Sequence, residues 1–532
     1  MAVTAALALG ACVAPTPPPT GSTTTTGAPL TPGDPGAADV ALTISSTTGV
    51  RAISPLIYGT NGMPPAGVRP GLVRLGGNRW TAYNWENNAS NAGSDWCFQN
   101  DGYLSSSNSP GAAVTPTVSQ AASVGAASLV TVPIVDYVAA DKNGGCDVRN
   151  TPNYLSVRFK QNKATKPTAL SATPDATDAA VYEDEYAAWL KASSGGANVR
   201  FSLDNEPDLW SATHAEVHPN AVGYAELVNR SVEYAKAIKR GWPGAKVSGP
   251  VSYGFYGFET LQNAPDQSGK GNFLDWYLDQ MKAADTANGG RLLDDLDLHW
   301  YPEAKGGGVR ITGADTGAAV VAARVQAPRS LWDPTYVEDS WITTDYGYGA
   351  IRLLPRTKDR IAAHYPGTGL AVTEWNYGGG TDISGAVASA DVLGIFGREG
   401  VSMAAMWPLN GDERFTYAAF EAFRNYDGAG HAFGDTSISA STSDTATATV
   451  YASYDAANPN RVVLVAINKS TSAKTAGIRL SHPHAFGTAD VWNVTAAGGA
   501  QPVAQPAISP VATNAYRATL PPMSVTVIVP RA

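Results

Sequence analysis

Cysteine is scarce in this chain: three in 532 residues, too few for a small scaffold stapled by disulfides. Cys12 stands apart near the start, while Cys97 and Cys146 read either as one loop-to-loop disulfide or as two buried thiols. Charge is scarce too, at 16% of residues with a net charge of -9. With no run of basic side chains there is no electrostatic footprint for a phosphate backbone, and a nucleic-acid partner is excluded. Long apolar runs are absent: none reaches the roughly 18 residues that a membrane-spanning helix needs. Also missing are a G-x-S-x-G elbow, a Walker A loop and a dinucleotide fingerprint opening a helix, which disfavours serine-hydrolase and nucleotide chemistry.

What the chain does have is length for two globular units and many aromatic rings with polar tips, 13 Trp and 23 Tyr. Flat apolar faces of this kind suit pyranose rings at wet surfaces. The opening stretch MAVTAALALGAC is apolar, short, and preceded by no Lys or Arg, and it reads as the apolar part of an export signal. Its ending, Leu9-Gly10-Ala11-Cys12, resembles a bacterial lipobox. The expectation is a secreted protein or a cell-surface lipoprotein tethered to the membrane through a lipidated Cys12. Residues 13–38 are rich in Pro, Thr and Gly, a composition that cannot offset the entropy of ordering, so a disordered tether is expected there.

From residue 40 to about 410, short apolar runs alternate with amphipathic helical segments, as in βα units around a parallel sheet. Eight runs can be counted, at 56–58, 72–75, 128–135, 199–203, 246–248, 296–299, 370–373 and 402–406. Eight favours a closed (β/α)8 barrel of the α/β class over an open sheet. After about 430 the pattern changes to period two with Thr, Ser, Val and Ala, which reads as a C-terminal β-sandwich. The expected division is a leader and linker over 1–38, a strand joining the sandwich over 39–55, the barrel over 56–430 and the sandwich over 431–532.

In a barrel the residues just after each strand face one cavity. Strand two ends in Arg74 and Leu75 before Gly76-Gly77-Asn78-Arg79-Trp80, and strand four runs into Asp204-Asn205-Glu206-Pro207. Strand six ends in His299-Trp300-Tyr301, strand seven in Glu374-Trp375-Asn376, and strand eight in Trp407. Glu206 and Glu374 would therefore meet across the mouth. An acetal is cleaved when its leaving oxygen is protonated while an anion meets the oxocarbenium-like carbon, and two such carboxyls supply both. The spacing alone does not say which glutamate does which.

The stretch Val73-Arg74-Leu75-Gly76-Gly77-Asn78-Arg79-Trp80-Thr81-Ala82-Tyr83-Asn84-Trp85-Glu86-Asn87-Asn88 closely resembles the signature of glycoside hydrolase family 44. Leu203-Asp204-Asn205-Glu206-Pro207 and Thr373-Glu374-Trp375-Asn376-Tyr377 fall where that family has its acid/base and its nucleophile. The resemblance covers roughly residues 40–530. It implies a retaining endoglucanase with a barrel and a β-sandwich, active on β-1,4-glucans and often on xyloglucan. By position it further implies that Asn205 holds the sugar 2-hydroxyl, that Arg74 and Tyr301 steady the nucleophile, and that Trp407 floors the subsite beside the scissile bond.

Each residue also has a plainer reading. Arg74 could neutralise a buried acid, Asn205 could be a turn residue, and His299 and Tyr301 could be satisfied core groups. Nine tryptophans, among them Trp80, Trp85, Trp96, Trp332, Trp341 and Trp407, follow inferred strands or precede strand seven, where they could serve as sugar platforms or as core. His214 and His218 share helical spacing, but the zincin order is missing and Pro219 opposes a helix, so no metal ligand is assigned. No cofactor is required; a structural Ca2+ near Asp141 and Asp147 is conceivable without a recognisable ligand motif. The expectation is a monomer acting on β-glucan. The alternatives are a xylanase or mannanase with the same carboxylates, or a catalytically silent carbohydrate-binding surface protein.

Overall fold

The computed structural model describes residues 27–532; Cys12 and the lipobox-like segment lie outside the described residues. Eight parallel strands, Gly59–Asn61, Leu72–Leu75, Ala127–Val132, Val199–Leu203, Lys246–Ser252, Asp295–Trp300, Gly369–Trp375 and Met403–Met406, close into a barrel. Closure comes where Ala405 and Met406 pair with Gly59 and Thr60. These strands are buried on both faces, as in Ala127–Val132, where all six residues are buried, and this is why they read as apolar runs rather than alternations.

The first strand differs from the sequence reading. Residues 55–57 form a 3-10 turn in which Pro55 fixes the backbone and the Ser54 hydroxyl accepts from Leu56 N, and the strand begins only at Gly59. A side chain on Gly59 would come within 2.2 Å of the Ala404 carbonyl, so the close approach of strands one and eight needs glycine there.

The helices follow ordinary local rules. Tyr224–Gly241 buries Leu227, Val228, Ser231, Tyr234, Ala235 and Ile238, one stripe at helical spacing, and ends in Lys239 and Arg240 at its negative pole. Phe273–Asn288 is capped by the Asn272 side chain and stopped by left-handed Gly289. Ile383–Glu399 is buried on nearly every side because it lies between barrel and sandwich. There Asp391 pairs with Lys469 at 2.6 Å and accepts from Thr449 and Tyr451.

In the sandwich, Thr436–Thr442 passes from one sheet to the other: its first half pairs with Ala448–Asp455 and its second half with Val40–Ser45. Val40–Ser45 in turn runs parallel to Lys474–Ser481. Of the tether expected over 13–38, residues 13–26 lie outside the described residues, and residues 27–38 lie along the sandwich instead. Leu30 bridges to His482, Gly33 N donates to the Thr513 carbonyl, and Asp34 pairs with Arg479. Composition alone missed this because a Pro-rich segment can still be held by partners far along the chain. The loop after strand three likewise carries a small sheet, Tyr137–Ala139, Phe159–Lys163 and Ala180–Tyr182. A Cys97–Cys146 disulfide ties that loop to the one after strand two.

Candidate active site

The strand ends at the barrel mouth are irregular where side chains must be re-aimed. Pairing shifts register between Pro250 and Ser252 in strand five, between Leu298 and His299 in strand six, and between Val372 and Trp375 in strand seven. Strand four ends in two left-handed residues, Asp204 (φ 64°) and Glu206 (φ 44°), a conformation that non-glycine residues hold only when surroundings over-determine it. Here they do: the buried Asp204 carboxylate accepts from Thr81 Oγ1 at 2.6 Å, Ile134 N at 2.7 Å and Asn205 N at 2.8 Å. Glu206 N donates to the Val251 carbonyl at 3.0 Å.

Both Glu374 oxygens are gripped. Arg74 Nη1 donates to Oε1 at 2.6 Å and the Tyr301 hydroxyl donates to Oε2 at 2.7 Å. Arg74 also donates to Asn61 Oδ1 and Asn205 Oδ1, both at 2.8 Å. The paired glycines of the strand-two motif make room for this. A side chain on Gly76 would collide with the Arg74 guanidinium, and one on Gly77 with the Trp407 ring. Burial works against an ionised Glu374, but the His299 ring and Arg74 outweigh it, with help from Tyr301, and hold its pKa below the usual glutamate value.

His299 stands between the two acids. Its Nδ1 lies 2.9 Å from Glu206 Oε1 and 3.6 Å from Glu374 Oε2. Burial opposes a charge on this ring, yet Glu374 and Glu206 together raise its pKa above the ordinary 6.5. Atoms of Glu206, His299 and Glu374 all fall within 4.8 Å of one another. Glu206 is the more open acid, its side chain 21% exposed against 7% for Glu374. It lines a cavity of about 290 Å3 with Tyr253, Tyr301, Glu303, Arg310 and Trp341. A larger hollow of about 730 Å3 lies over the small sheet after strand three and contains neither acid.

The tryptophans divide. Trp407 is half-buried against Gly77, its backbone fixed by bonds to Trp375 and Asn376. Trp341, on the cavity wall, stacks on Tyr256 at 4.6 Å. Trp80 is nearly buried beside Tyr83. Trp85, named above as a possible platform, is instead core, 1% exposed and stacked on Tyr186. Trp332 likewise packs away from the mouth, under the Arg398 guanidinium. Periodicity cannot separate these cases, because the partner rings come from distant segments.

Asn61, Asp204, Tyr253 and Glu303 were not singled out in the sequence. Asn61 would have been, had the first strand been placed three residues later, since it then occupies a strand end. Asp204 adjoins Asn205 and Glu206, and its place in that motif was the available signal.

Among the described residues, Glu206, His299 and Glu374 form the single converging set of metal-type donors, and Arg74 and Tyr301 already hydrogen-bond to Glu374 there. Asp141 and Asp147, considered for Ca2+, each pair with an arginine, Arg158 and Arg149. His214 bonds Glu216 and the Asn78 carbonyl, whereas His218 bonds Glu226, so the two histidines serve separate loops.

Comparison with known proteins finds relatives over most of the chain. Residues 89–304 match the family model of glycoside hydrolase family 44. Endoglucanase A of Paenibacillus lautus is 42% identical over 92% of this chain and 72% of its own length. A solved Paenibacillus polymyxa xyloglucanase of family 44, bound to xyloglucan, is 42% identical with a TM-score of 0.88, covering 93% of this chain and 99% of that one. A β-mannanase/endoglucanase A of Caldicellulosiruptor saccharolyticus is 43% identical over 82% of this chain, which spans 34% of that protein.

Proposed function

Because the chain belongs to glycoside hydrolase family 44, we propose that it cuts internal β-1,4-glucosidic bonds, with xyloglucan among its polymers, and retains anomeric configuration. One observation carries the mechanism: an oxygen of Glu206 and an oxygen of Glu374 lie within 4.8 Å of one another, which favours the closer of two known spacings. Retaining enzymes place their acids roughly 5 to 5.5 Å apart, whereas inverting enzymes leave about 6.5 to 9.5 Å for a water.

The surroundings support one division of roles. Glu374 is buried, anionic and oriented by Arg74 and Tyr301, so it attacks the anomeric carbon. As that bond forms, the glycosidic C–O bond breaks and Glu206 donates its proton to the departing oxygen. Glu206, now a carboxylate facing the open cavity, takes a proton from water. The resulting hydroxide equivalent attacks the same carbon and frees Glu374. Between the two half-reactions Glu206 is a carboxylate, and the His299 ring, within hydrogen-bond distance of it, holds it in place. Asn205, held by Arg74, is set to meet the 2-hydroxyl, and Trp407 to floor the ring.

We further infer export. The lipobox-like start supports it, as does the Cys97–Cys146 disulfide, a bond typical of oxidising compartments.

The test is release of reducing ends from carboxymethyl cellulose, xyloglucan, xylan and mannan. Release from the first two at the highest rate is expected. Mannan or xylan as the better substrate would move the specificity. Binding without release from any polymer would leave only a carbohydrate-binding protein.

A further inference from the structure

Trp96 is 61% exposed, and a single exposed ring needs no explanation by itself. The turn that carries it does. Trp96 ends the short turn Gly93–Trp96, and the next two residues, Cys97 (φ 40°) and Phe98 (φ 53°), are both left-handed, a costly conformation for consecutive side-chain-bearing residues. The surroundings enforce it. Cys97 is bonded to Cys146, the Phe98 ring lies under the Arg149 guanidinium at 4.2 Å, and Phe98 N donates to the Gly93 carbonyl at 2.8 Å. Arg149 is itself fixed by Asp147, whose N donates to the Cys97 carbonyl. The result is an indole held out from the surface by a turn braced on both sides.

That turn packs against two segments that lead away from the site. A side chain on Gly93 would meet the Thr213 carbonyl at 2.2 Å and the Asn78 side chain at 2.8 Å. Thr213 closes the short helix after Glu206, and Asn78 follows Gly77, which touches the Trp407 ring. Chain geometry keeps the Trp96 backbone within roughly 15 Å of Asn78, the reach of a few pyranose units. One ring is far too little for a protein partner, which needs about 800 Å2 per side, but it matches the face of one sugar.

We propose that Trp96 is an outer stacking platform for a pyranose of the bound polysaccharide, held in position by the Cys97–Cys146 bond and the left-handed pair behind it. The proposal rests on the glucanase reading above. Trp96→Ala is expected to raise KM for long cello- or xyloglucan oligosaccharides roughly 3- to 10-fold more than KM for an aryl cellobioside too short to reach residue 96. Trp96→Tyr should recover most of that difference, and the paired Cys97→Ser and Cys146→Ser substitutions should reproduce part of it. Equal KM changes on long and short substrates, or none on either, would overturn the platform. Failure of the unsubstituted protein to hydrolyse any β-glucan would instead strike the reading on which it rests.

Discussion

Among the described residues, two deeply buried ion pairs, one with arginine and one with lysine, look alike until their surroundings are compared. Arg74 and Glu374 lie 2.6 Å apart at the barrel mouth, their side chains 0% and 7% exposed; Lys469 and Asp391 lie 2.6 Å apart at the seam with the sandwich, 0% and 1% exposed. Asp391 receives its other bonds from Thr449 and Tyr451, both on the sandwich strand packed against its helix, and it is fully buried. Glu374 instead faces a second acid, an imidazole within reach of both, and a cavity that admits a ligand beside Glu206. Burial and pairing of charge are thus common to structure and chemistry. A second acid beside an opening separates them.

That contrast can be broken most severely at Glu374. Glu374→Gln keeps the shape and partners for Arg74 and Tyr301 but removes the nucleophile, and turnover should fall on the order of 10,000-fold or more; retention of a tenth of the activity would contradict the assignment. Glu206→Ala should cost about 100- to 10,000-fold on polymer. It should cost much less on aryl glycosides with good leaving groups, which need no protonation, so equal losses on both would argue against an acid/base role.

At the seam the effect should change kind. Lys469→Met leaves Asp391 buried without its cation, and urea unfolding should show a loss of about 3 to 5 kcal/mol. The kcat of the folded protein should stay within about twofold, since nothing at the seam touches the reacting atoms. A large fall in kcat without a loss of stability would erase the distinction.

The smallest effect is a shift in pH dependence. His299 and Arg74 favour the ionised form of Glu374 over the opposition of burial, so its folded pKa lies below the ordinary 4.5. Activity that needs this anion is full above that pKa and is lost as pH falls through it. The acid limb of kcat/KM should therefore sit below 4.5 in the unsubstituted protein. In Arg74→Gln it should move upward by about one pH unit or more. A downward shift would mean that Arg74 does not stabilise the anion.

Much of this was legible before any coordinates. Glu206 and Glu374 each follow an apolar run, and barrel geometry then brings residues far apart in the chain to one mouth. The Arg-Leu-Gly-Gly motif was visible, but its reason was not: each glycine vacates space for a particular group, the Arg74 guanidinium or the Trp407 ring. Asn61 was hidden because Pro55 turns an apolar run into a 3-10 turn and delays the strand. Trp85 and Trp332 could not be told from cleft residues, because what covers them, Tyr186 and Arg398, arrives from elsewhere in the fold. The small sheet after strand three escaped for a related reason, its strands being short and partly polar, as in Phe159–Lys163.

The most direct test is the anomeric configuration of the first product, followed by proton NMR as a cello- or xyloglucan oligosaccharide is cleaved. If Glu374 is the nucleophile, the β-anomer forms first and only later mutarotates. Initial release of the α-anomer would mean that a water, rather than Glu374, attacks the sugar.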